Sequence, residues 1–259
     1  MQDKAITLDD GRTVQCISEG SGQPLLLIHG IGSDRRQFVD LAGRLAPGIE
    51  AVAYDQRDTG EQISDRQRYS MEDLADDAAD LMTALGWSSA HVLGTSFGGA
   101  IAQHLAVRYP ERVRTLVLVS TTATHASTRT FADGSTAMTA DERALAMLDA
   151  AVSPAARASD PSIVETVRAA LVRRPDELHA RRLAALAGHD TTDVLGSIQM
   201  PTLVVHGTDD TVIPYEAGCT LAEQIPDAVF WSIKGARHAT AFECADELAR
   251  RVSQRVLQF

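Results

Sequence analysis

Short apolar runs and longer amphipathic stretches alternate along this chain, and their different periods predict different elements. PLLLIHG (24 to 30), EAVAYD (50 to 55), AHVLGT (90 to 95), RVRTLVLVS (112 to 120), PTLVVHG (201 to 207) and DAVFWSI (227 to 233) are continuously apolar rather than alternating. That is the pattern of strands covered on both faces, and their interleaving with helical patterns predicts a mainly parallel sheet. Two weaker pieces, AITL and TVQCI, flank the Asp-Asp-Gly turn at 9 to 11 and predict a leading hairpin. Helical spacing is clearest over 71 to 87, where Met71, Leu74, Ala78, Leu81, Met82 and Leu85 share one face and Ser70 with Asp73 marks the N-terminus. A second helix is predicted over 97 to 109, stopping before Pro110, and a last one from Cys244 to the end.

Between 122 and 198 this rhythm breaks. Ala- and Arg-rich helical patterns are punctuated by Pro154, Pro161, Pro175 and Gly188, and 126 to 135 reads as an extended loop. The organisation expected is a core domain from 1 to 121 and 199 to 259, with 122 to 198 inserted as a helical lid.

Composition narrows the function classes. A chain of 259 residues, 44% hydrophobic, can bury a substantial core. Its net charge of −11 repels a phosphate backbone, and no cluster of Lys and Arg with interleaved aromatics occurs, so nucleic acid is not an expected partner. No stretch reaches the length of a membrane span, and the first twenty residues lack the apolar core of a signal peptide. Cys16, Cys219 and Cys244 are odd in number and form no CxxC pair, which argues against a disulfide framework and a thiolate metal site. A reducing cytoplasm is the expected setting; Cys219 and Cys244 read as small hydrophobes in helices. Oligomeric state is not readable from these features.

The stretch GTSFGG (94 to 99) carries the first chemistry, because it lies where a strand should turn sharply into a helix. Such a turn brings backbone so close that Gly94 and Gly98 avoid collision. It also lifts the Ser96 hydroxyl above the sheet and aims the backbone N–H of Phe97 at a developing oxyanion. Two glycines and a serine at fixed places recur by chance in roughly one chain in ten of this length, so the motif takes its weight from its place. A serine nucleophile needs a base, and the base needs an orienting acid. Asp209 and Asp210 stand just beyond the strand PTLVVHG, and His238 follows the strand AVFWSI within KGARHATAF. The order Ser, acid, His is the one this sheet type uses.

Four motifs in order, HGIG (29 to 32), GTSFGG (94 to 99), GTDDTVIP (207 to 214) and GARH (235 to 238), make the chain similar over essentially its whole length to enzymes of the α/β-hydrolase fold. The resemblance implies an eight-stranded, mostly parallel sheet flanked by helices, with a lid. It selects Asp210 over Asp209 as the acid, three residues after the strand-ending glycine, and implies that the backbone N–H of Ile31 joins that of Phe97 in an oxyanion hole. Within the superfamily the chain resembles lactonases of the 3-oxoadipate enol-lactonase type through 189 to 207, and aclacinomycin-type polyketide methylesterases through YDQRDTG (54 to 60), where Glu61 and Gln62 depart from the pattern. Halide-displacing members and epoxide hydrolases carry Asp where this chain has Ser96. Carbon–carbon bond hydrolases of ring-cleavage products and cofactor-free perhydrolases keep a serine there and remain open.

The expectation is thus cleavage of a small-molecule ester or lactone through an acyl-enzyme by Ser96, His238 and Asp210, with no cofactor and no metal. A non-catalytic small-molecule binding protein on the same fold is the competing class. The 129 to 182 stretch contains Arg129, Arg143, Arg157, Arg168, Arg173, Arg174, Arg181 and Arg182, with Phe131 as its aromatic. Guanidinium groups grip carboxylates with two hydrogen bonds, so one or two of these could hold an acidic substrate, although any single one is more readily a solvated helix residue. His29 and His206, which end strands, read as structural histidines, and Arg57 with Asp58 as a structural turn network.

Overall fold

The computed structural model of the protein describes residues 2–127, 139–172 and 174–259, apart from the side chains at 140, 141, 143, 144 and 147. The strands are β1 (Gln2–Thr7), β2 (Thr13–Gly20), β3 (Gly22–Ile28), β4 (Gly48–Tyr54), β5 (Ala90–Thr95), β6 (Val113–Val119), β7 (Thr202–Gly207) and β8 (Val229–Ile233). They form one eight-stranded sheet in the order β1-β2-β4-β3-β5-β6-β7-β8. β1 and β2 are the predicted hairpin; β2 also pairs antiparallel with β4, and every pairing from β4 to β8 is parallel. The helices are α1 (Val39–Gly43), α2 (Met71–Ala84), α3 (Phe97–Arg108), α4 (Ala140–Ala151), α5 (Pro154–Ser159), α6 (Ile163–Ala170), α7 (Asp176–Ala187), α8 (Tyr215–Gln224), α9 (Thr240–Glu243) and α10 (Ala245–Gln258).

The unbroken apolar runs have a simple cause. Successive strand residues point to opposite faces, and both faces of the central strands are covered. In β3, Leu26 and Ile28 join a core with Leu74 and Leu81 of α2 and Ile101 and Leu105 of α3. Leu25 and Leu27 enter a second core with Phe38, Leu41 of α1, and Leu248 and Val252 of α10. Each such side chain contributes about 1.5–3 kcal/mol on burial. Residues 97–106 of α3 are all buried, so this helix stands behind the sheet with no solvent face.

Three boundaries differ from the sequence expectation. α2 ends at Ala84 because Gly86 takes φ 76°, and the Gly86 and Trp87 N–H groups close back on Thr83 and Met82 carbonyls at 2.9 and 2.8 Å. The C-terminal helix is divided, α9 and α10 being separated at Cys244. β8 is an edge strand with Val229 49% exposed, so it is not covered on both faces. The Ser70–Asp73 capping box is present as predicted. Between β6 and β7 lie α4 to α7, with Leu148, Val152, Ile163 and Val167 packed against Ala239. The extended loop expected over 126 to 135 lies, from residue 128 onward, outside the described residues. Among the described residues no helix is long and apolar enough to cross a membrane.

Candidate active site

The turn from β5 into α3 leaves no choice of residue at several positions. A Cβ on Gly94 would collide with the backbone of Gly98, and one on Gly98 with the carbonyls of Ile28 and His29. Ser96 between them adopts φ 52°, ψ −117°, a conformation a non-glycine residue rarely takes and one held only where the surroundings over-determine it. Its backbone is fully used: the N–H donates to Val119 O at 2.9 Å, and the carbonyl accepts from Gly99 N (2.8 Å), Ala100 N (3.1 Å) and Thr121 Oγ1 (2.8 Å). Its hydroxyl does not cap α3 and makes no hydrogen bond to His238 among the described residues, a bond that commonly tightens only with substrate in place.

Asp210 and His238 are brought together by the ends of β7 and β8. The His238 Nδ1–H donates to Asp210 Oδ2 at 2.8 Å, which leaves Nε2 as the basic nitrogen. Asp210 Oδ1 accepts the N–H groups of Val212 (2.8 Å) and Ile213 (2.9 Å). Burial pushes the Asp210 carboxyl up, but His238 and His206 together outweigh this and hold it well below the usual carboxylate range. Asp209 is exposed, and its carboxylate accepts from the neighbouring Thr208 hydroxyl at 2.7 Å. Of the two carboxylates, then, Asp210 faces the imidazole.

Ser96 and His238 line one cavity of about 200 Å³, together with Ile31 and Phe97. Phe97 is the first residue of α3, so its N–H has no acceptor within the helix. The 122 to 198 segment lines the cavity mostly with apolar side chains, Val167, Leu171, Leu183 and Leu186, beside Thr122, His125 and His179, and among the described residues no Asp, Glu, Lys or Arg lines it.

The arginines singled out in the sequence lie elsewhere. Arg157 donates to the carbonyls of Leu148 and Val152, Arg168 pairs with Glu165, and Arg181 pairs with Glu177. Arg174 and Arg182 are buried against backbone oxygens. Arg129 and Arg173, like Phe131, lie outside the described residues, as does the Arg143 side chain. Among the described residues, then, none of these arginines lines the cavity. Arg57 and Asp58 act as a structural network: Arg57 pairs with Asp77, and Asp58 accepts from Tyr69 Oη and Ser64 N.

Three residues that hold the site were not singled out for it. Gln37 accepts from Gly30 N at 2.9 Å and donates to Thr95 Oγ1 at 2.6 Å, tying the HGIG loop to the nucleophile turn. His206 Nε2 donates to Ile213 O at 3.0 Å and lies 3.4 Å from Asp210 Oδ2, a second imidazole beside the acid. Arg174 holds the HGIG loop itself. No local pattern marks these residues, since each acts across 4 to 143 positions of chain. His29 is fully buried and, through burial first and the nearby Arg182 charge second, held well below its ordinary pKa, so it stays neutral. Among the described residues no group of three or more His, Cys, Asp or Glu is placed to hold a metal ion.

Comparison with known proteins agrees with this architecture. A poly(3-hydroxyalkanoate) depolymerase of Ectopseudomonas oleovorans is 32% identical over 79% of this chain and 74% of its own length. A pimeloyl-[acyl-carrier protein] methyl ester esterase of Chromobacterium violaceum is 31% identical over 91% and 94%. The enol-lactonase of Burkholderia xenovorans LB400 superposes with a TM-score of 0.87 over 98% of this chain and 100% of that one, at 22% identity, a likeness of fold. Residues 22–245 match the family described as serine aminopeptidase, S33, and the chain belongs to this family of α/β-hydrolases.

Proposed function

We propose that the protein is a serine hydrolase that cleaves an uncharged carboxylic ester or lactone through an acyl-enzyme. The observation carrying this reading is the 2.8 Å His238–Asp210 hydrogen bond at a cavity that Ser96 also lines. His238 Nε2 takes the Ser96 proton as Oγ bonds to the substrate carbonyl carbon, while Asp210 stabilises the imidazolium that forms. The oxyanion is received by the backbone N–H groups of Ile31 and Phe97. Its collapse expels the alcohol, which takes its proton from His238. Water, deprotonated in turn by His238, then releases the acid and restores Ser96.

Relatives named as an esterase and as a depolymerase support hydrolysis as the reaction class. The wall chemistry supports a neutral substrate, because among the described residues no Lys or Arg lines the wall to replace the hydration a free carboxylate would lose. A volume of about 200 Å³ is below the range typical for drug-sized ligands and suits a small acyl group or lactone ring. The segment 122–198 supplies much of that wall and is read as the lid. The chain's cysteines, Cys16, Cys219 and Cys244, form no disulfide, which suits a reducing, cytoplasmic setting.

The test is a substrate panel with a labelling control. Ser96→Ala is expected to keep the fold and lose at least roughly a thousandfold in turnover of a p-nitrophenyl ester. A fluorophosphonate is expected to label the wild type at Ser96 and to leave the variant unlabelled. A silent binding protein would show neither turnover nor labelling. Within the panel, short neutral esters and lactones should exceed an acidic enol-lactone and a ring-fission dienoate; the reverse order would replace ester cleavage with the other chemistry.

A further inference from the structure

The HGIG loop, residues 29 to 32, is the least constrained part of the site by sequence: Ile31 stands between Gly30 and Gly32, so the peptide planes on either side lack the restriction a Cβ imposes. A flip of the Gly30–Ile31 peptide would redirect the Ile31 N–H, and its Gly30 carbonyl is held by Ser33 N at 3.3 Å and His29 Nδ1 at 2.8 Å, so the placing of Ser33 matters. The structure meets this with residues 170–172 and Arg174 of the 122–198 segment. Leu171 forms a bridge with Ser33, Val172 N donates to Gly32 O at 2.9 Å, and the Ser33 hydroxyl donates to Ala170 O. Arg174 then donates from Nη1 to Ile31 O at 2.7 Å and from Nη2 to Ser33 O at 3.1 Å and Thr59 Oγ1 at 3.3 Å.

Two features of Arg174 matter. It is 7% exposed yet makes no direct ion pair among the described residues: its hydrogen bonds go to backbone and hydroxyl oxygens, and the carboxylates of Asp34, Asp58 and Asp55 act on it only at longer range. A buried charge kept without a direct ion pair is costly for the fold, and an apolar side chain would fill the space more cheaply. It also does not line the cavity, so it acts on the loop, through the Ile31 and Ser33 carbonyls, and not on substrate.

We infer that residues 170–172 and Arg174 clamp the oxyanion loop, with Arg174 as a positioning residue: it fixes the Ile31 and Ser33 carbonyls, and Ser33, so placed, holds through its own N–H the Gly30 carbonyl of the peptide that carries the Ile31 N–H. This rests on the acyl-enzyme reading above. It makes the lid segment part of the oxyanion hole's support rather than only a cover. Docking of residues 170–172 and Arg174 and readiness of the hole are then one event: with the clamp undone, substrate still enters the cavity, but the tetrahedral intermediate loses a donor.

The purified full-length protein tests this. Arg174→Met is expected to lower kcat for a p-nitrophenyl ester about tenfold or more, with KM within about threefold, because the bond lost acts on the transition state. Binding of a trifluoromethyl ketone, which adds to Ser96 as a tetrahedral adduct, should weaken by the same factor as kcat/KM. Guanidinium ion at millimolar concentration should restore part of kcat, and Arg174→Lys, which keeps the charge but not the fork, should fall between wild type and Met. Should the Met variant not fold, the Lys variant and Ser33→Ala, which removes only the bond to Ala170, carry the same test. Unchanged kcat, or a fall in kcat with unchanged ketone affinity, in a folded variant overturns the inference. A rise in KM alone also overturns it, because it would make Arg174 a substrate contact. Ser96→Ala separates the two levels: full activity there removes the acyl-enzyme reading itself, whereas its loss beside normal Arg174 variants removes only the clamp.

Discussion

Ser96 and Arg174 both bear on the 29 to 32 loop, but the chain secures them by different physics. Ser96 is held chiefly by backbone: the glycines around it have no room for a Cβ, and its N–H and carbonyl are bonded to β6 and α3, with the Thr121 hydroxyl as one side-chain donor. Arg174 is held by a long side chain reaching backbone oxygens about 140 residues away in sequence. The first arrangement follows from sterics between neighbouring strands and is rigid wherever the sheet is folded. The second depends on where one segment comes to rest upon another. Damage to the first should therefore appear as lost chemistry or lost fold, and damage to the second as altered turnover with the fold kept.

The largest expected effect tests the sheet-borne side. Asp210→Asn should leave the fold intact and lower kcat about ten-thousandfold, since the amide favours the wrong tautomer of His238 and cannot stabilise its charged form. Asp209→Asn, one residue away on an exposed turn, should leave kcat within about twofold. Equal losses in the two variants would show that the acid has been assigned to the wrong carboxylate.

Next in size is Gly98→Ala. Its new Cβ would overlap the Ile28 and His29 carbonyls, so β3 and α3 must separate, at about 3 kcal/mol or more of stability. Thermal or urea unfolding measures it. A variant as stable as wild type would mean that the close approach of these backbones is not required.

This contrast also marks what could be read in the chain. The nucleophile turn was legible because a steric necessity writes itself as glycines at fixed offsets, and Asp210 and His238 because each follows an apolar run that has to be a strand. β8 was read as covered when it is an edge, since apolar residues beside a sheet end look the same as those inside it. Gln37, His206 and Arg174 stayed hidden for a different reason: their partners are backbone atoms or residues fixed only by the fold. The arginines of the 122–198 segment show the limit most directly. Their charge is visible in the sequence, but whether a guanidinium meets carbonyl, carboxylate or cavity is settled by packing.

Acid pH offers a milder way to set the sheet against the segment that crosses it. Burial lowers the pKa of His91 on β5 and of His189, at the end of the inserted segment, to about 4 each. Between about pH 6.5 and 4 the unfolded chain binds protons that these native imidazoles do not, so their contribution is present at neutral pH and lost as pH falls, by roughly 3 kcal/mol each at the acid end. Asp210 acts later with the same sign: its native pKa lies below the unfolded value of 3.8, so its share is present above that pH and lost below it. His189→Gln, which can still donate to Thr122 O, should flatten the loss of stability between pH 6.5 and 4, as His91→Asn should from within the sheet. An unchanged slope in both would place the acid sensitivity elsewhere.

The smallest expected effect tests whether the inserted segment's charge has any part in substrate choice. Arg168 is well exposed and paired with Glu165 at 3.4 Å, an arrangement worth about 0–1 kcal/mol to stability, and it does not line the cavity. Arg168→Ala should thus change neither the melting temperature appreciably nor the ratio of kcat/KM for neutral over acidic esters. For the wild type, KM for an acidic ester should be high and nearly independent of salt, because among the described residues no Lys or Arg lines the wall for salt to screen. If KM for acidic esters instead rises with ionic strength while that for neutral esters does not, and Arg168→Ala removes the difference, then a guanidinium reaches the substrate in solution. The neutral cavity would then be a property of the empty site alone, and the segment would choose substrate by charge as well as support the loop beneath it.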